Sequence, residues 1–307
     1  MGIRRASIAL LAALMAHPAA AQSPVNPPIV NPTDHLAFDR PEAWALKHFD
    51  SATVLSGLET PRTLAPGSIS LGVELGSLPT LSPEQRRVGF NGTKEEDLNK
   101  APVFFRLRVT VGLPKRFSLI VAAVPPIRAF GTRPKLLALG LGRPVYESET
   151  WTVGLRGYGQ VGSADAAFTC PPEVLAFTPG SAENPYGCQA ESSDTATLRY
   201  AGGEVSLAYR PGGRTRVLSP HVAAGANYFD VAFQVDALTF DYIDNTHLLS
   251  HGATFTASGG VSYPVSKRFD ASFDLFYSPL SVRRPVGSSP QNDGLFNVRA
   301  LVTYRLR

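Results

Sequence analysis

One segment of the chain brings together residue types that support acid–base chemistry. Asp241, Asp244 and His247 lie close together in sequence. Carboxylates and an imidazole can exchange protons with a substrate, so a hydrolytic site is one interpretation of this cluster. The same residue types are also ordinary loop formers. The chain has no His-Glu-x-x-His, no Gly-x-Ser-x-Gly and no phosphate-binding glycine loop, so we assign no catalytic residues and expect no metal or cofactor.

Three other features could carry chemistry, and each has a simpler interpretation. His221 and His251 fall on opposite faces of alternating segments, and we expect a structural role for both. The acids of residues 89–97 could bind a cation, but a solvated loop explains this segment more simply. The sequence therefore offers no firm catalytic or metal-binding set.

A larger set of charged residues occupies alternate positions of otherwise apolar segments. Successive side chains of a β-strand point to opposite faces, so these charges share one face and the apolar residues the other. We predict that ten residues, six cations and four anions, line the interior of a closed sheet: Glu74, Arg106, Arg108, Arg156, Glu204, Arg210, Asp270, Asp274, Arg299 and Arg305.

The charged face allows two interpretations. A narrow barrel is nearly filled by side chains, and a buried charge without a partner is costly, so the residues could pair in a structural salt-bridge network. Alternatively, they could line a narrow polar path whose excess of cations favours anionic or polar solutes.

Aromatic residues recur beside the short turns, always on the apolar face. The predicted rim consists of Phe117, Trp151, Tyr209, Tyr263, Phe269 and Tyr304. A second set, at the other end of the strands, consists of Phe105, Tyr228, Tyr277 and Phe296. Aromatic rings concentrate at the two interfaces of a membrane, and this pattern favours a transmembrane barrel. The alternative is a soluble sandwich with an aromatic core, which would need protected sheet edges.

The alternation predicts an all-β fold, an antiparallel up-and-down barrel of about ten strands. The predicted strands cover residues 68–76, 103–111, 117–124, 136–142, 151–161, 198–210 and 218–228, two strands joined by residues 264–268, and 296–306. Residues 229–247 could be a loop, a hairpin above the membrane or two further membrane strands, which would make twelve. After the N-terminus no apolar run is long enough for a spanning helix, so a membrane location requires closure of the sheet.

The N-terminus is typical of a secretory signal. Arg4 and Arg5 precede an apolar stretch, and small residues end at a predicted cleavage site between Ala21 and Gln22. We therefore predict a signal peptide over residues 1–21. Its removal lowers the formal charge from +4 to +2, and no basic cluster is interleaved with aromatic residues, so we expect no nucleic-acid partner.

Residues 22–66 are predicted to form a linker and plug segment ahead of the barrel at 67–307. Within the segment, residues 37–49 favour a short helix packed in or under the barrel. Asp39 and Glu42 have the spacing of a capping box, and Pro41 suits the first turn.

The two cysteines, Cys170 and Cys188, lie in a polar, proline-rich stretch of an exported chain. We predict that they form a disulfide, worth about 3 kcal/mol in the chain-entropy picture. The alternative is a pair of free thiols.

These features together resemble the Gram-negative outer-membrane β-barrel class over residues 68–307. The resemblance is carried by the signal, the turn-to-strand junctions Pro114–Ser118 and Ser266–Asp270, and the final strand Val302–Arg307. It departs from the class at the last residue, which is Arg307 where an aromatic residue is usual. The resemblance implies a location in the cell outer membrane, contact with its lipid and with the assembly machinery, short periplasmic turns, long external loops, and both chain ends in the periplasm.

The function we favour from the sequence is a narrow, porin-like pore or transporter for small polar or amphipathic solutes. In this hypothesis residues 22–66 act as a hatch on the periplasmic side. The alternatives are a closed structural or adhesive barrel that works through its external loops, and a hydrolase at the external rim.

Overall fold

Ten strands pair in sequence order and close on themselves in the computed structural model, which describes residues 27–213 and 217–306. All ten pairings are antiparallel, and the last strand pairs with the first. The strands are β1 (Ile69–Ser77), β2 (Val103–Gly112), β3 (Ser118–Val124), β4 (Arg133–Glu147), β5 (Trp151–Ala166), β6 (Tyr200–Tyr209), β7 (Ser219–Gln234), β8 (His247–Pro264), β9 (Phe269–Ser278) and β10 (Leu295–Arg305). The predicted signal peptide lies outside the described residues.

The outer face of the barrel is apolar and the inner face is polar, as the alternation requires. Leu75, Leu107 and Leu139 project outward and are about half exposed, whereas the residues beside them are buried inside. An apolar outer face on a closed sheet is the arrangement that lipid selects, because closure leaves no unpaired strand edge in the membrane. The prediction of a transmembrane barrel of the outer-membrane class is confirmed, and the protein is a resident of the outer membrane.

The strand number is ten, and the twelve-strand alternative is wrong. β7 and β8 continue past the barrel wall as one long hairpin, paired from Ser219 with Ser262 to Gln234 with His247. Its tip carries two short strands, Ala237–Thr239 and Tyr242–Asp244, which pair with each other outside the barrel sheet. β4 is also much longer than predicted, because pairing with β5 continues through an irregularity between Pro144 and Tyr146.

Connections alternate between short turns at one end of the barrel and long loops at the other. By the rule of short periplasmic turns, the end with the long loops is external. The disulfide between Cys170 and Cys188 joins two parts of one such loop, with the Cα atoms 5.6 Å apart, so this prediction is confirmed. Asp194–Thr197 adds a strand beside β5 and β7 above the start of β6. None of the helices in the described residues is long and apolar enough to cross a membrane.

The N-terminal segment runs through the barrel from the external end to the periplasmic end. Ile29 pairs in parallel with Ile243 at the tip of the external hairpin, and Thr33–His35 pairs in parallel with the start of β8. The chain then enters the lumen as helix α1 (Pro41–Ala52) and continues as irregular backbone, with a bend at Gly57 and Leu58. It reaches Thr63, whose hydroxyl donates to Glu147 at the periplasmic rim. The expected position of this segment on the periplasmic side is therefore wrong, since its described start lies among the external loops.

Helix α1 begins and ends later than the sequence indicates. Its N-cap is Arg40, without a side-chain cap, because Asp39 accepts a hydrogen bond from Arg283 of an external loop instead of closing a capping box. Ten of the twelve residues of α1 are buried, including Lys47 and Asp50. A helix buried on every side with polar residues in its sequence requires polar partners in its surroundings, and the inner face of the barrel supplies them.

Candidate functional site

The ten charged residues that alternation assigned to the interior all face the lumen. Eight of them are buried: Glu74, Arg106, Arg108, Arg156, Glu204, Asp270, Asp274 and Arg299. Arg210 and Arg305 are partly exposed at the periplasmic mouth, where both line a wide opening.

Several of the buried guanidinium groups bind the backbone of the N-terminal segment. Arg106 donates to the carbonyl oxygen of Thr53 at 2.6 Å. Arg299 donates to Val54 O at 2.7 Å, and also to Ser56 O. Irregular backbone at membrane depth is tolerated only where its polar groups are satisfied inside the protein, and these arginines satisfy the carbonyls.

The same residues complete the end of helix α1. Its last turn contains no basic residue, although the C-terminus of a helix carries a partial negative charge and free carbonyls. Arg299 donates to Ser51 O at 3.2 Å, and Asn297 donates to Ala52 O at 3.4 Å. Strand β10 therefore supplies the positive charge that the helix lacks.

Acidic and phenolic groups bind the backbone N–H groups of the segment. Gly57 N donates to Glu204 at 2.9 Å, and Leu58 N donates to Asp274 at 2.8 Å. The phenolic oxygen of Tyr200 accepts from Leu55 N at 2.8 Å and itself donates to a carbonyl oxygen. The lumen thus needs both signs of charge, because a peptide backbone presents both donors and acceptors.

Ion pairs within the wall hold the charged residues in position. Glu74 binds Arg106 in a two-point contact at 2.6 and 3.1 Å, and Arg108 approaches the same carboxylate at 3.5 Å. His221, predicted to have a structural role, binds Asp274 at 2.6 Å. The salt-bridge interpretation describes these contacts within the wall. Several of the charged side chains also form hydrogen bonds with the backbone of the N-terminal segment, which that interpretation did not include.

Residues 50–58, which we call the seal, separate two cavities. Every residue of the seal is buried, and none of them lines either cavity. The periplasmic cavity, of about 770 Å³, has a mixed lining that includes charged residues such as Arg62, Arg210 and Asp270. The external pocket, of about 260 Å³, lies between α1, the loop after β1 and the long hairpin. In this state the lumen is not a continuous path.

The wall of the external pocket is apolar and comes from distant parts of the chain. Helix α1 contributes Ala45, Leu46 and Phe49, and the remaining apolar residues are Leu36, Val88, Phe90, Leu98, Phe168, Ala196, Phe233, Val235 and Leu248. Charged residues border this wall: Asp34, Arg40, Glu42, Glu96 and Asp244. An apolar pocket with a few convergent polar groups is the usual form of a small-molecule site.

The acids beside the pocket differ in their partners. Arg40 approaches one oxygen of Glu42 at 3.3 Å, and Asn91 N donates to the same oxygen at 2.8 Å. Glu96 pairs with Lys94 at 2.9 Å. Burial raises the pKa of Glu96 to about 8 in spite of this lysine.

The acidic segment 89–97 does not form a cation site in the described residues. Glu95 pairs with Arg86, Glu96 with Lys94 and Asp97 with Lys100, so its acids already have cationic partners. Within residues 27–213 and 217–306, no group of His, Cys, Asp or Glu is arranged to hold a metal ion.

The three residues of the candidate hydrolytic cluster have separate partners. Asp241 accepts from Gln189 at 2.7 Å, Asp244 accepts from Thr246 N at 3.0 Å, and His247 opens β8. In the described part of the chain no hydrogen bond joins any two of these three side chains. The arrangement provides no base oriented by an acid, which catalysis of this kind requires.

The predicted rim aromatics lie at the periplasmic ends of their strands, and several are in contact. The ring centroids of Trp151 and Tyr209 are 4.6 Å apart, and those of Phe269 and Tyr304 are 4.9 Å apart. The Phe117 ring lies beside Arg143, and Tyr263 is well exposed on the outer face. Rings in these positions suit the headgroup level of the inner leaflet.

Sequence reasoning missed the polar residues that touch the seal and the whole external pocket. Tyr200 and Gln160 lie on the inward face of their strands, and alternation alone assigns them to that face. It gives no sign of what an uncharged inward side chain contacts. Gln160 donates to Thr53 Oγ1 at 2.9 Å. The pocket residues belong to separate segments that share no local pattern.

The comparisons with known proteins agree on architecture alone. No protein-family model matches the chain, and no curated protein matches it. Among solved structures, the translocator domain of the autotransporter NalP from Neisseria meningitidis is 11% identical, with 79% of this chain and 90% of that chain covered and a TM-score of 0.41. Ail of Yersinia pestis is 12% identical, with 79% and 100% covered and a TM-score of 0.28. The protease OmpT from Escherichia coli is 9% identical, with 83% and 100% covered and a TM-score of 0.36.

Proposed function

We propose that the protein is a gated outer-membrane transporter for small polar or amphipathic solutes, in which residues 27–66 are the plug. The observation that carries the proposal is the pair of cavities at opposite ends of the lumen, with the seal and the wall side chains that bind it between them. A solute bound in the external pocket would reach the periplasmic cavity if the seal moved aside.

The closed state is the resting state in this proposal. A hydrogen bond to a charged group contributes about 1.5–3 kcal/mol. Arg106, Arg299, Glu204 and Asp274 each hold the seal by at least one such bond, so releasing these four residues costs about 6–12 kcal/mol. Spontaneous opening is therefore rare, and a bound ligand or a periplasmic partner has to offset that cost.

A reversible lock on the plug tests this function. Ser51 of α1 and Ser278 of β9 have hydroxyl oxygens 3.3 Å apart, so Ser51→Cys with Ser278→Cys places two thiols within bonding reach. The lock is introduced into Arg299→Gln, which weakens the hold on the seal. Liposomes containing this protein should take up a small sugar and a small amphipathic amine after reduction, and should exclude both after oxidation.

The controls carry only one of the two substitutions, Ser51→Cys or Ser278→Cys, in the same Arg299→Gln background. They experience the same oxidant and reductant but cannot form the lock. Heat-modifiable migration on gels verifies that every variant is folded. If the Arg299→Gln barrel excludes solutes under all conditions, transport is wrong. The second candidate function, a closed barrel that works through its external loops, would then replace transport. The number of hydrogen bonds that hold the seal favours this second function.

A further inference from the structure

The external pocket has the size of a small-molecule site in the closed protein. An engineered cavity of about 150 Å³ holds one benzene molecule, so a pocket of about 260 Å³ accommodates about ten heavy atoms. Its apolar wall has to be matched by an apolar body, because a polar surface placed there would lose its hydration without compensation.

Helix α1 fixes the direction of a bound molecule. Glu42, Leu46 and Phe49 follow the spacing of one helix face and all line the pocket. With a rise of about 1.5 Å per residue, the carboxylate of Glu42 and the ring of Phe49 are separated by about 10 Å along the axis. A molecule lying on this face therefore has one end at a carboxylate and the other end among apolar side chains.

The charge around the pocket is acidic. Three of its residues carry carboxylates, Asp34, Glu42 and Asp244, and one carries a guanidinium group, Arg40. A fourth carboxyl group, that of Glu96, already pairs with Lys94 and adds no net negative charge. The Glu42 side chain is only 10% exposed. Its Oε2 atom is buried and has no hydrogen-bond partner among the described residues, although a buried carboxylate oxygen normally has one.

We propose that the external pocket binds a small primary amine of about ten heavy atoms, whose ammonium group pairs with the Glu42 carboxyl group and whose apolar body packs against Leu46, Phe49 and Phe233. The ammonium adds a donor to a carboxyl group that has, in the described part of the chain, an unpartnered oxygen, and it balances the excess of carboxylates around the pocket. The inference deepens the proposed function by naming its substrate class, but binding itself needs only the closed barrel.

Three probes of nearly equal size separate charge from apolar fit: phenylpropylamine, phenylpropanol and phenylpropanoate. Binding is measured by calorimetry on the full mature chain in lipid nanodiscs, with empty nanodiscs subtracted because amphiphiles partition into lipid. The expected order is the amine first, the alcohol at least tenfold weaker, and the carboxylate without detectable binding. Equal affinity for amine and alcohol, or preference for the carboxylate, overturns the role of Glu42, and absence of binding by all three overturns the site.

Two variants locate the ligand. Glu42→Gln should weaken amine binding about tenfold and leave alcohol binding unchanged, whereas Glu84→Gln, an exposed carboxylate outside the pocket, should change neither. Ala45→Leu adds bulk at the pocket wall and should weaken both probes. Unchanged amine binding in Ala45→Leu would place the ligand elsewhere and refute the proposal. Amine binding without uptake in the lock experiment would refute transport and leave this site intact, so the two failures are distinguishable.

Discussion

Arg299→Met should destabilise the folded barrel through the loss of three hydrogen bonds to the plug. The guanidinium donates to the carbonyl oxygens of Ser51, Val54 and Ser56, all of which are buried. Methionine keeps much of the apolar volume beside the Phe276 ring, which lies 3.7 Å from the guanidinium carbon. The substitution therefore removes donors with little loss of packing.

The expected cost follows from the acceptors that are left. Ser51 O keeps a hydrogen bond from Val54 N, so the carbonyl oxygens of Val54 and Ser56 are the two that lose their donor. A buried group deprived of its partner costs about 1–3 kcal/mol, so the two carbonyls cost about 2–6 kcal/mol before relaxation. Two effects reduce this cost. Water can enter from the periplasmic cavity and bind the carbonyls, and the substitution removes the desolvation penalty of a buried guanidinium group. We expect a net loss of about 2–4 kcal/mol, which places the variant among the more damaging single substitutions.

The assay is urea unfolding in micelles followed by tryptophan fluorescence, because Trp44 lies on the plug helix and is fully buried. The matched control is Arg305→Met on the same strand, where the side chain is 32% exposed and pairs with Asp270 at the mouth. The control should lose less than about 1 kcal/mol. Equal losses in the two variants would mean that the bonds from Arg299 to the seal do not hold the plug.

Three further outcomes check the membrane face, the disulfide and the buried acid. Val109→Arg should cost about 2–4 kcal/mol because the introduced charge faces lipid. Thr110→Arg should be tolerated in the same urea titration, because the Thr110 side chain lines the periplasmic cavity. Equal effects of the two substitutions would contradict the assigned faces. Cys170 and Cys188 should resist alkylation until the protein is reduced, and immediate labelling would disprove the bond. The pKa of Glu96 is about 8 in the folded protein, against 4.5 for an ordinary glutamate, because the side chain is buried. The folded state therefore retains a proton that the unfolded state loses, and the loop should become less stable as pH rises from 4.5 to 8. Hydrogen exchange of residues 86–98, corrected for intrinsic rates, should show this loss at pH 8 and not in Glu96→Gln.

The strands were predictable because their signal is local. In β10, Asn297, Arg299 and Thr303 are buried and alternate with Val298 and Val302, which face lipid, so the period of two in the sequence is the period of the wall. Strand ends were less predictable. β7 and β8 extend beyond the membrane by pairing with each other, and no composition change marks the point where they leave the lipid.

The position of the lumen charges was predictable from the sequence, but their hydrogen-bond partners were not. Parity places Arg299 in the interior, but its acceptor Val54 is 245 positions away, in a segment without alternation. The path of the plug was out of reach for the same reason, since Thr33 pairs with His247 across the whole sequence. The external pocket is the extreme case, because its walls meet only after the barrel has closed.

The route of the plug constrains the order in which the barrel is assembled. Helix α1 has the usual diameter of about 10–12 Å with side chains, and ten of its twelve residues are buried. A helix of that width could not be threaded through a finished ring of ten strands. We therefore expect the plug to be in place before β1 and β10 join, as a template around which the sheet wraps. Arg299, on the closing strand, binds that template, which couples the final step of biogenesis to a correctly placed N-terminus.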